Sequence, residues 1–369
     1  MRNLSLLIKP ASSNCNMRCQ YCFYADIVGM RTVKNHGVMS LDTLEIIVRK
    51  ALSVDTKYCL FGFQGGEPAL AGLDFYKKLI ELVKKYNHNK VQVKYTLQTN
   101  GLLIDSEWSK FFQENKFLVG LSIDAEKQFH DGLRSDSTGK GTHNRGMNAA
   151  RLLVKHQVDF NILSVVTRQL ASHPDKAYRF YKQNGFRYIQ FIPCLNGLQD
   201  KPGENIYSLD AKIYGAFLCR IFDLWYADFI KGEYISIRSF DNYIRMLKGQ
   251  APENCAMNGF CTAYALIEAD GGVYPCDFYA IDEYFLGNIK THGFDEMLGG
   301  ERAKIFISPS LYQDPVCGEC AYYPICRGGC RREREPAVNG RLLLNCYCEA
   351  YKQFFKHALF RMKVIAQTI

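Results

Sequence analysis

No stretch of this 369-residue chain holds the roughly 18 consecutive apolar residues that a membrane-spanning helix needs. The apolar run Leu4-Ser-Leu-Leu-Ile8 is short and is stopped by Lys9-Pro10. It lacks the longer core and small-residue cleavage site of a signal peptide, so it reads as a buried strand. Low-complexity tracts are missing, and so is any internal repeat beyond an alternation of strand and helix patterns. Neither sign of charge dominates the chain. The formal net charge is +9 from 46 basic and 37 acidic residues, and the run Arg331-Arg332-Glu333-Arg334-Glu335 mixes both signs. Such a run is a solvated face rather than a phosphate track, and neither nucleic acid nor membrane is expected as a partner.

Cysteine, by contrast, is plentiful: 15 residues, with a hydrophobic fraction of 47% that is ordinary for a globular protein. Without a secretion signal these cysteines argue against a disulfide framework and for a reducing, cytoplasmic setting. Their spacing is informative. Cys15-x3-Cys19-x2-Cys22 lies near the N-terminus, Cys255-x5-Cys261-x14-Cys276 lies far along the chain, and Cys317-x2-Cys320-x5-Cys326-x3-Cys330 precedes Cys346 and Cys348. Thiolates this close on loops hold soft metals, either iron–sulfur clusters or zinc. Three thiolates on a four-iron cluster leave one iron open, which suits catalysis. If three clusters form, their ionised thiolates bring the charge down to roughly +4. Cys59, Cys194 and Cys219 fall in strand or helix patterns and read as buried structural cysteines.

Residues 1–195 alternate strand patterns (4–9, 58–63, 91–99, 117–124, 158–166, 188–193) with helical ones (41–52, 72–85, 106–114, 144–156, 174–184). Six β/α units favour a parallel sheet, as either a partial barrel or a doubly wound sheet. Chemistry then collects at the C-terminal strand ends. The motifs obey that rule: Cys15–Cys22, Gln64-Gly-Gly-Glu-Pro68, Gln98-Thr-Asn-Gly101, Ser122-Ile-Asp124 and Pro193-Cys-Leu195 each follow a strand pattern. The turn-rich residues 196–205 read as a linker. Helical patterns at 208–231 and 238–248 follow, then a Gly/Pro/Cys-rich stretch that bound metal would help to fold, and a closing helix over 349–365.

The first cysteine group, with Tyr21 just before its last member, resembles the CxxxCxΦC signature of radical S-adenosylmethionine (SAM) enzymes. Gly65-Gly66-Glu67-Pro68, after the next strand, matches that superfamily's GGEP motif, which receives the SAM ammonium. The later groups resemble its SPASM extension. The resemblance implies a partial (β/α)6 TIM-like barrel over 1–195, a linker and helical segment over 196–249, a Cys-rich iron–sulfur (SPASM) domain over 250–349, and a terminal helix over 350–369. It implies three [4Fe–4S] clusters. Cys15, Cys19 and Cys22 hold the first, and Cys255, Cys261, Cys276 and Cys330 the second. Cys317, Cys320, Cys326 and a last cysteine hold the third. Spacing alone allows Cys346 or Cys348 in that last place; the resemblance, which puts the ligand directly before the terminal helix, selects Cys348.

The whole chain is further similar to the anaerobic sulfatase-maturating enzymes, through Phe63-Gln-Gly-Gly-Glu-Pro68, Leu97-Gln-Thr-Asn-Gly101, Asn115-Lys-Phe-Leu-Val-Gly-Leu-Ser122, Asp223-Leu-Trp-Tyr226 and Tyr274-Pro-Cys-Asp-Phe-Tyr279. In that family the aspartate after the cluster cysteine, here Asp277, is the proposed base. By the same resemblance Tyr21, Gly66, Ser122, Arg134 and Leu195 contact SAM, and Gln64, Gln98 and Asn100 sit at the mouth. From residue type alone, Leu195 reads as core, Arg134 as a solvated loop residue and Asp277 as a turn cap. The implied reaction is hydrogen abstraction by a 5′-deoxyadenosyl radical from Cβ of a cysteine or serine in an unfolded sulfatase segment, ending in Cα-formylglycine. The implied partners are that polypeptide and an electron donor such as ferredoxin or flavodoxin.

Reference pKa values of about 3.9 for Asp and 8.5 for Cys make proton transfer from a resting thiol uphill by roughly 6 kcal/mol. The transfer therefore belongs after the radical has acidified the S–H, or requires burial of the aspartate. Two other readings compete. A SPASM peptide maturase of the thioether-forming kind shares every cysteine motif, although strand one begins too near Met1 for an added N-terminal recognition domain. A non-catalytic iron–sulfur or zinc protein has no need of Gly-Gly-Glu-Pro.

Overall fold

The run after Asn3 forms strand β1 (Leu4–Ile8), in which Leu4, Leu6 and Ile8 are buried and Ser5 is exposed. In this computed structural model residues 3–368 are described except 199, 201 and 202, so those three positions of the expected linker lie outside the described residues. The chain divides into two units, each discontinuous in sequence. One comprises 1–122, 134–160 and 263–306; the other comprises 123–133, 161–262 and 307–369.

In the first unit, β1 pairs in parallel with β2 (Tyr58–Phe63), β2 with β3 (Gln92–Thr99), and β3 with β4 (Phe117–Ser122). Helices Leu41–Ser53, Leu73–Tyr86, Ser106–Glu114 and His143–Lys155 belong to the same unit. Ser40 and Asp105 cap two of them by accepting N–H groups of the first turn. These elements match the expected parallel α/β order.

The other edge of β1 brings a difference. Ala265–Ile267, within the Gly/Pro/Cys-rich stretch where the sequence shows no strand pattern, forms strand β8, which pairs in parallel with β1. Strand β9 (Gly272–Tyr274) turns back antiparallel on β8, and β10 (Gly287–Asn288) on β9. All three residues of β8 are fully buried. Part of the Cys-rich stretch therefore completes the N-terminal sheet.

In the second unit, β5 (Phe160–Val166), β6 (Tyr188–Pro193) and β7 (Ser236–Ile237) run parallel. The helix Ala211–Phe229, capped by Asp210, packs against the terminal helix Cys348–Thr368. On the terminal helix the Phe354 ring lies 6.0 Å from Phe222 of the facing helix and 5.6 Å from Phe240 of a third helix, Arg238–Leu247. No helix among the described residues is long and apolar enough to cross a membrane.

Candidate active site and cysteine groups

The loop after β1 carries Cys15, Cys19 and Cys22, all partly buried, and the turn after β2 closes on it. Gly66 has φ +57°, and a Cβ there would lie 2.3 Å from the Asn14 carbonyl oxygen, so only glycine lets the two loops touch. The Glu67 N–H donates to that same carbonyl at 2.7 Å. Burial pushes the Cys15 thiol up to about 12, an effect that Glu67, Cys19 and Cys22 reinforce and the Met17 N–H opposes. Metal binding at this loop must displace those protons.

Glu67 is 1% exposed, and its carboxylate is engaged within the protein. It accepts from Thr99 Oγ1 at 2.8 Å, the Asn100 N–H at 2.8 Å and the Ala69 N–H at 3.1 Å. Burial raises its pKa against the pull of these three donors. The residue expected to meet the SAM ammonium is thus also a strut joining the ends of β2 and β3. Asn100 in turn donates to Asn16 Oδ1 at 2.8 Å, with its Nδ2 4.0 Å from Cys15 Sγ.

Arg134, read from its loop as solvated, is in fact 7% exposed. Its Nη1 donates to Tyr21 Oη at 2.9 Å, and its guanidinium lies 5.9 Å from the Tyr21 ring centroid. Ser122, at the end of β4, accepts from Gln98 Nε2 at 3.0 Å. In the first unit the structure therefore gathers Tyr21, Gly66, Ser122 and Arg134 with their neighbours at the C-terminal strand ends. Leu195 lies in the second unit, half-buried after β6.

Asp277 is 8% exposed and opens a 3-10 turn directly after Cys276. The Tyr264 hydroxyl donates to its Oδ1 at 2.5 Å, while Tyr24 Oη and Gln64 Nε2 each lie 3.4 Å from Oδ2. Gln64 also donates to Tyr24 at 3.1 Å. Burial first, then the Asp277 charge, holds both phenols well above the usual tyrosine range. The ammonium of Lys9 sits 5.1 Å from the Tyr24 ring centroid. It forms a buried pair with Glu268, which also accepts from Arg31 Nη1 at 2.6 Å. Burial works to raise the Glu268 carboxyl, but the two cations win and bring it down to about 2. Lys9 is lowered, because burial outweighs its pairing.

The second unit contains the other cysteine groups. Cys317, Cys320, Cys326 and Cys348 line one small cavity with Tyr322 and Phe355. Cys346 does not line it; its side chain is exposed, and its N–H donates to the Glu333 carbonyl. Burial, then the Glu333 charge, pushes the Cys330 thiol well up, and Cys255 and Cys261 add to the shift. Cys276 belongs to the first unit. Among the described residues no three His, Cys, Asp or Glu side chains converge on a single ion. Four thiols around one cavity are the soft donor set that an iron–sulfur cluster takes. Cys59 and Cys194 are buried as expected, whereas Cys219 is a correction: it is only partly covered, because its place on the helix Ala211–Phe229 turns it toward the Gln353 carbonyl at the edge of the helix pair.

Sequence reading passed over Tyr24, Tyr264, Lys9 and Glu268. Position alone hints at Lys9, a charged residue directly after a buried strand. Nothing local marks the others.

The Radical SAM superfamily model matches residues 10–180, and the model of an iron-sulfur cluster-binding domain, SPASM, matches 255–321. A cysteine-type anaerobic sulfatase-maturating enzyme of Clostridium novyi is 47% identical over 100% of this chain and 99% of its own length. A serine-type enzyme of Bacteroides thetaiotaomicron is 33% identical over 96% of this chain and 89% of its own. The solved structure of native anSMEcpe with bound AdoMet and a Kp18Cys peptide superposes with a TM-score of 0.95 at 44% identity, covering 100% of both chains. The α/β fold with its Cys-rich iron–sulfur extension is shared end to end with that structure, and the chain belongs to the anaerobic sulfatase-maturating enzymes of the radical SAM superfamily.

Proposed function

We propose that this chain oxidises a cysteine, or less readily a serine, in an unfolded sulfatase segment to Cα-formylglycine. The observation that carries the reading is the Asp277 carboxylate, held by Tyr264 with Tyr24 and Gln64 nearby, directly after Cys276. The cysteine preference rests on 47% identity to a cysteine-type relative against 33% to a serine-type one.

Cys15, Cys19 and Cys22 would hold one [4Fe–4S] cluster. Cys255, Cys261, Cys276 and Cys330 would hold a second, and Cys317, Cys320, Cys326 and Cys348 a third. Tyr21, Gly66, Ser122, Arg134 and Leu195 would hold SAM. When bound, the first cluster and SAM together would supply the radical that removes hydrogen from Cβ, an auxiliary cluster would take up the remaining electron, and water would then replace the sulfur of the oxidised cysteine, releasing it as sulfide. The protein's own part is positional and acid–base. Gly66 lets the turn close on the cysteine loop, and Arg134 and Tyr21 orient one another. Asp277 accepts the thiol or hydroxyl proton at Oδ2, the oxygen that Tyr264 does not engage and that Tyr24 and Gln64 approach only at 3.4 Å. Residues 1–195 would form the SAM-binding part and 250–349 the auxiliary-cluster part. An external electron donor of the ferredoxin or flavodoxin kind and a cytoplasmic location fit a chain whose cysteines must stay reduced.

Anaerobic incubation with SAM, a reductant and a cysteine-containing sulfatase peptide tests this reading by mass spectrometry. Formylglycine replaces the side-chain sulfur with oxygen and removes two hydrogens. Loss of two hydrogens with sulfur retained would mean thioether chemistry or a stalled thioaldehyde, and a thioether crosslink mapped by fragmentation would overturn the assignment. Purified protein should carry about twelve irons with matching sulfide.

A further inference from the structure

Tyr264 stands where the proton acceptor and a cluster-ligating sulfur meet. Its hydroxyl accepts the Asp277 N–H at 2.9 Å and donates to Asp277 Oδ1 at 2.5 Å. The same oxygen lies 3.6 Å from Cys276 Sγ, within hydrogen-bond range for sulfur, and that sulfur is 3.5 Å from Oδ1. One phenol thus touches the backbone and carboxylate of one residue and the sulfur of its neighbour. Its ring is anchored from behind by a cluster that includes Ile27, Leu266, Tyr274 and Ile281, so the hydroxyl has little room to swing away.

The chemistry of the contact follows from its charges. With Cys276 bound to iron, its sulfur and the Asp277 carboxylate are both hydrogen-bond acceptors, and the two repel at this distance. A neutral O–H between them relieves the repulsion by offering its single proton to both. A donor to a metal-bound thiolate stabilises the more negative, reduced state of the cluster and raises its potential. A donor to Oδ1 fixes the rotation of the carboxylate and leaves Oδ2 facing Tyr24 and Gln64.

We propose that Tyr264 is a positioning residue that sets both the orientation of Asp277 and the reduction potential of the auxiliary cluster bound through Cys276. The proposal rests on the readings of Asp277 as base and Cys276 as ligand given above. Tyr264→Phe keeps the ring and removes the O–H. It should shift the midpoint potential of that cluster to more negative values in an anaerobic redox titration followed by electron paramagnetic resonance. Formylglycine formed per SAM cleaved should fall about tenfold, with the peptide KM within twofold of the parent. Replacing Tyr264 with 3,5-difluorotyrosine keeps the shape, strengthens the donor and should move the potential the opposite way. The difluoro protein also serves if the phenylalanine variant fails to load iron.

A potential that moves in neither variant overturns the proposal, whatever happens to the rate. Two controls separate that outcome from failure of the underlying readings. Cys276→Ala retaining the full iron content would mean that Cys276 is not a ligand, and Asp277→Asn retaining formylglycine formation would mean that Asp277 is not the base.

Discussion

Arg134 Nη1 donates to Tyr21 Oη at 2.9 Å, joining a cysteine-loop residue to one 113 positions later. Both belong to the proposed SAM contacts. Tyr21→Phe removes the hydrogen bond but keeps the ring beneath the guanidinium. A hydrogen bond to a charged group contributes about 1.5–3 kcal/mol, so SAM affinity should drop by roughly tenfold or more if Arg134 must be held to bind. Anaerobic calorimetry of SAM binding gives the answer, and an unchanged Kd would separate this pair from the SAM site.

The last ligand of the third cluster can be assigned by iron counting. Cys348 shares a cavity with Cys317, Cys320 and Cys326, and Cys346 does not. Cys348→Ala should lose up to about four irons per chain, while Cys346→Ala should keep all of them. Equal loss in both variants would contradict the arrangement.

Asp277→Asn keeps the volume and the Tyr264 contact but cannot take a proton. SAM cleavage to methionine and 5′-deoxyadenosine should persist, and aldehyde formation should fall by about 100-fold or more, within the range for loss of a general base. Formylglycine at the parental rate would remove Asp277 from the mechanism.

Acid should weaken the first unit through Glu268. Its folded-state carboxyl is depressed from 4.5 to about 2 by Lys9 and Arg31, against the effect of burial. A depressed carboxyl contributes stability that is complete above the unfolded value of 4.5 and is lost as pH falls toward 2. Thermal melts should therefore decline below about pH 4.5. Glu268→Gln should flatten part of that decline and lower stability at neutral pH, because two buried cations lose their counter-charge. Identical pH profiles for the two proteins would show that the pair does not govern acid stability.

The sequence disclosed what is local. Strands β1 to β6 are apolar runs bounded by turn signals, and the cysteine spacings lie within single loops. It did not disclose β8, because three apolar residues in a Cys-rich stretch do not make a readable period. It could not disclose the Lys9–Glu268 pair, 259 residues apart, or the burial of Arg134 behind Tyr21. It found Asp277 through its neighbour Cys276, but Tyr264 is thirteen residues away and acquires its role only when β8 and β9 fold back on one another.

The parallel seat of β8 on β1 also bears on how this protein is made. Once β1 has left the ribosome, one of its edges remains open until residues near 270 have been synthesised. At about 5–20 residues per second, that wait is roughly 10–50 s. An uncovered strand edge is a template for pairing with other chains. The nascent N-terminal half should therefore depend on chaperone protection during translation, and truncations ending before Ala265 should aggregate even though all of β1 to β6 is present.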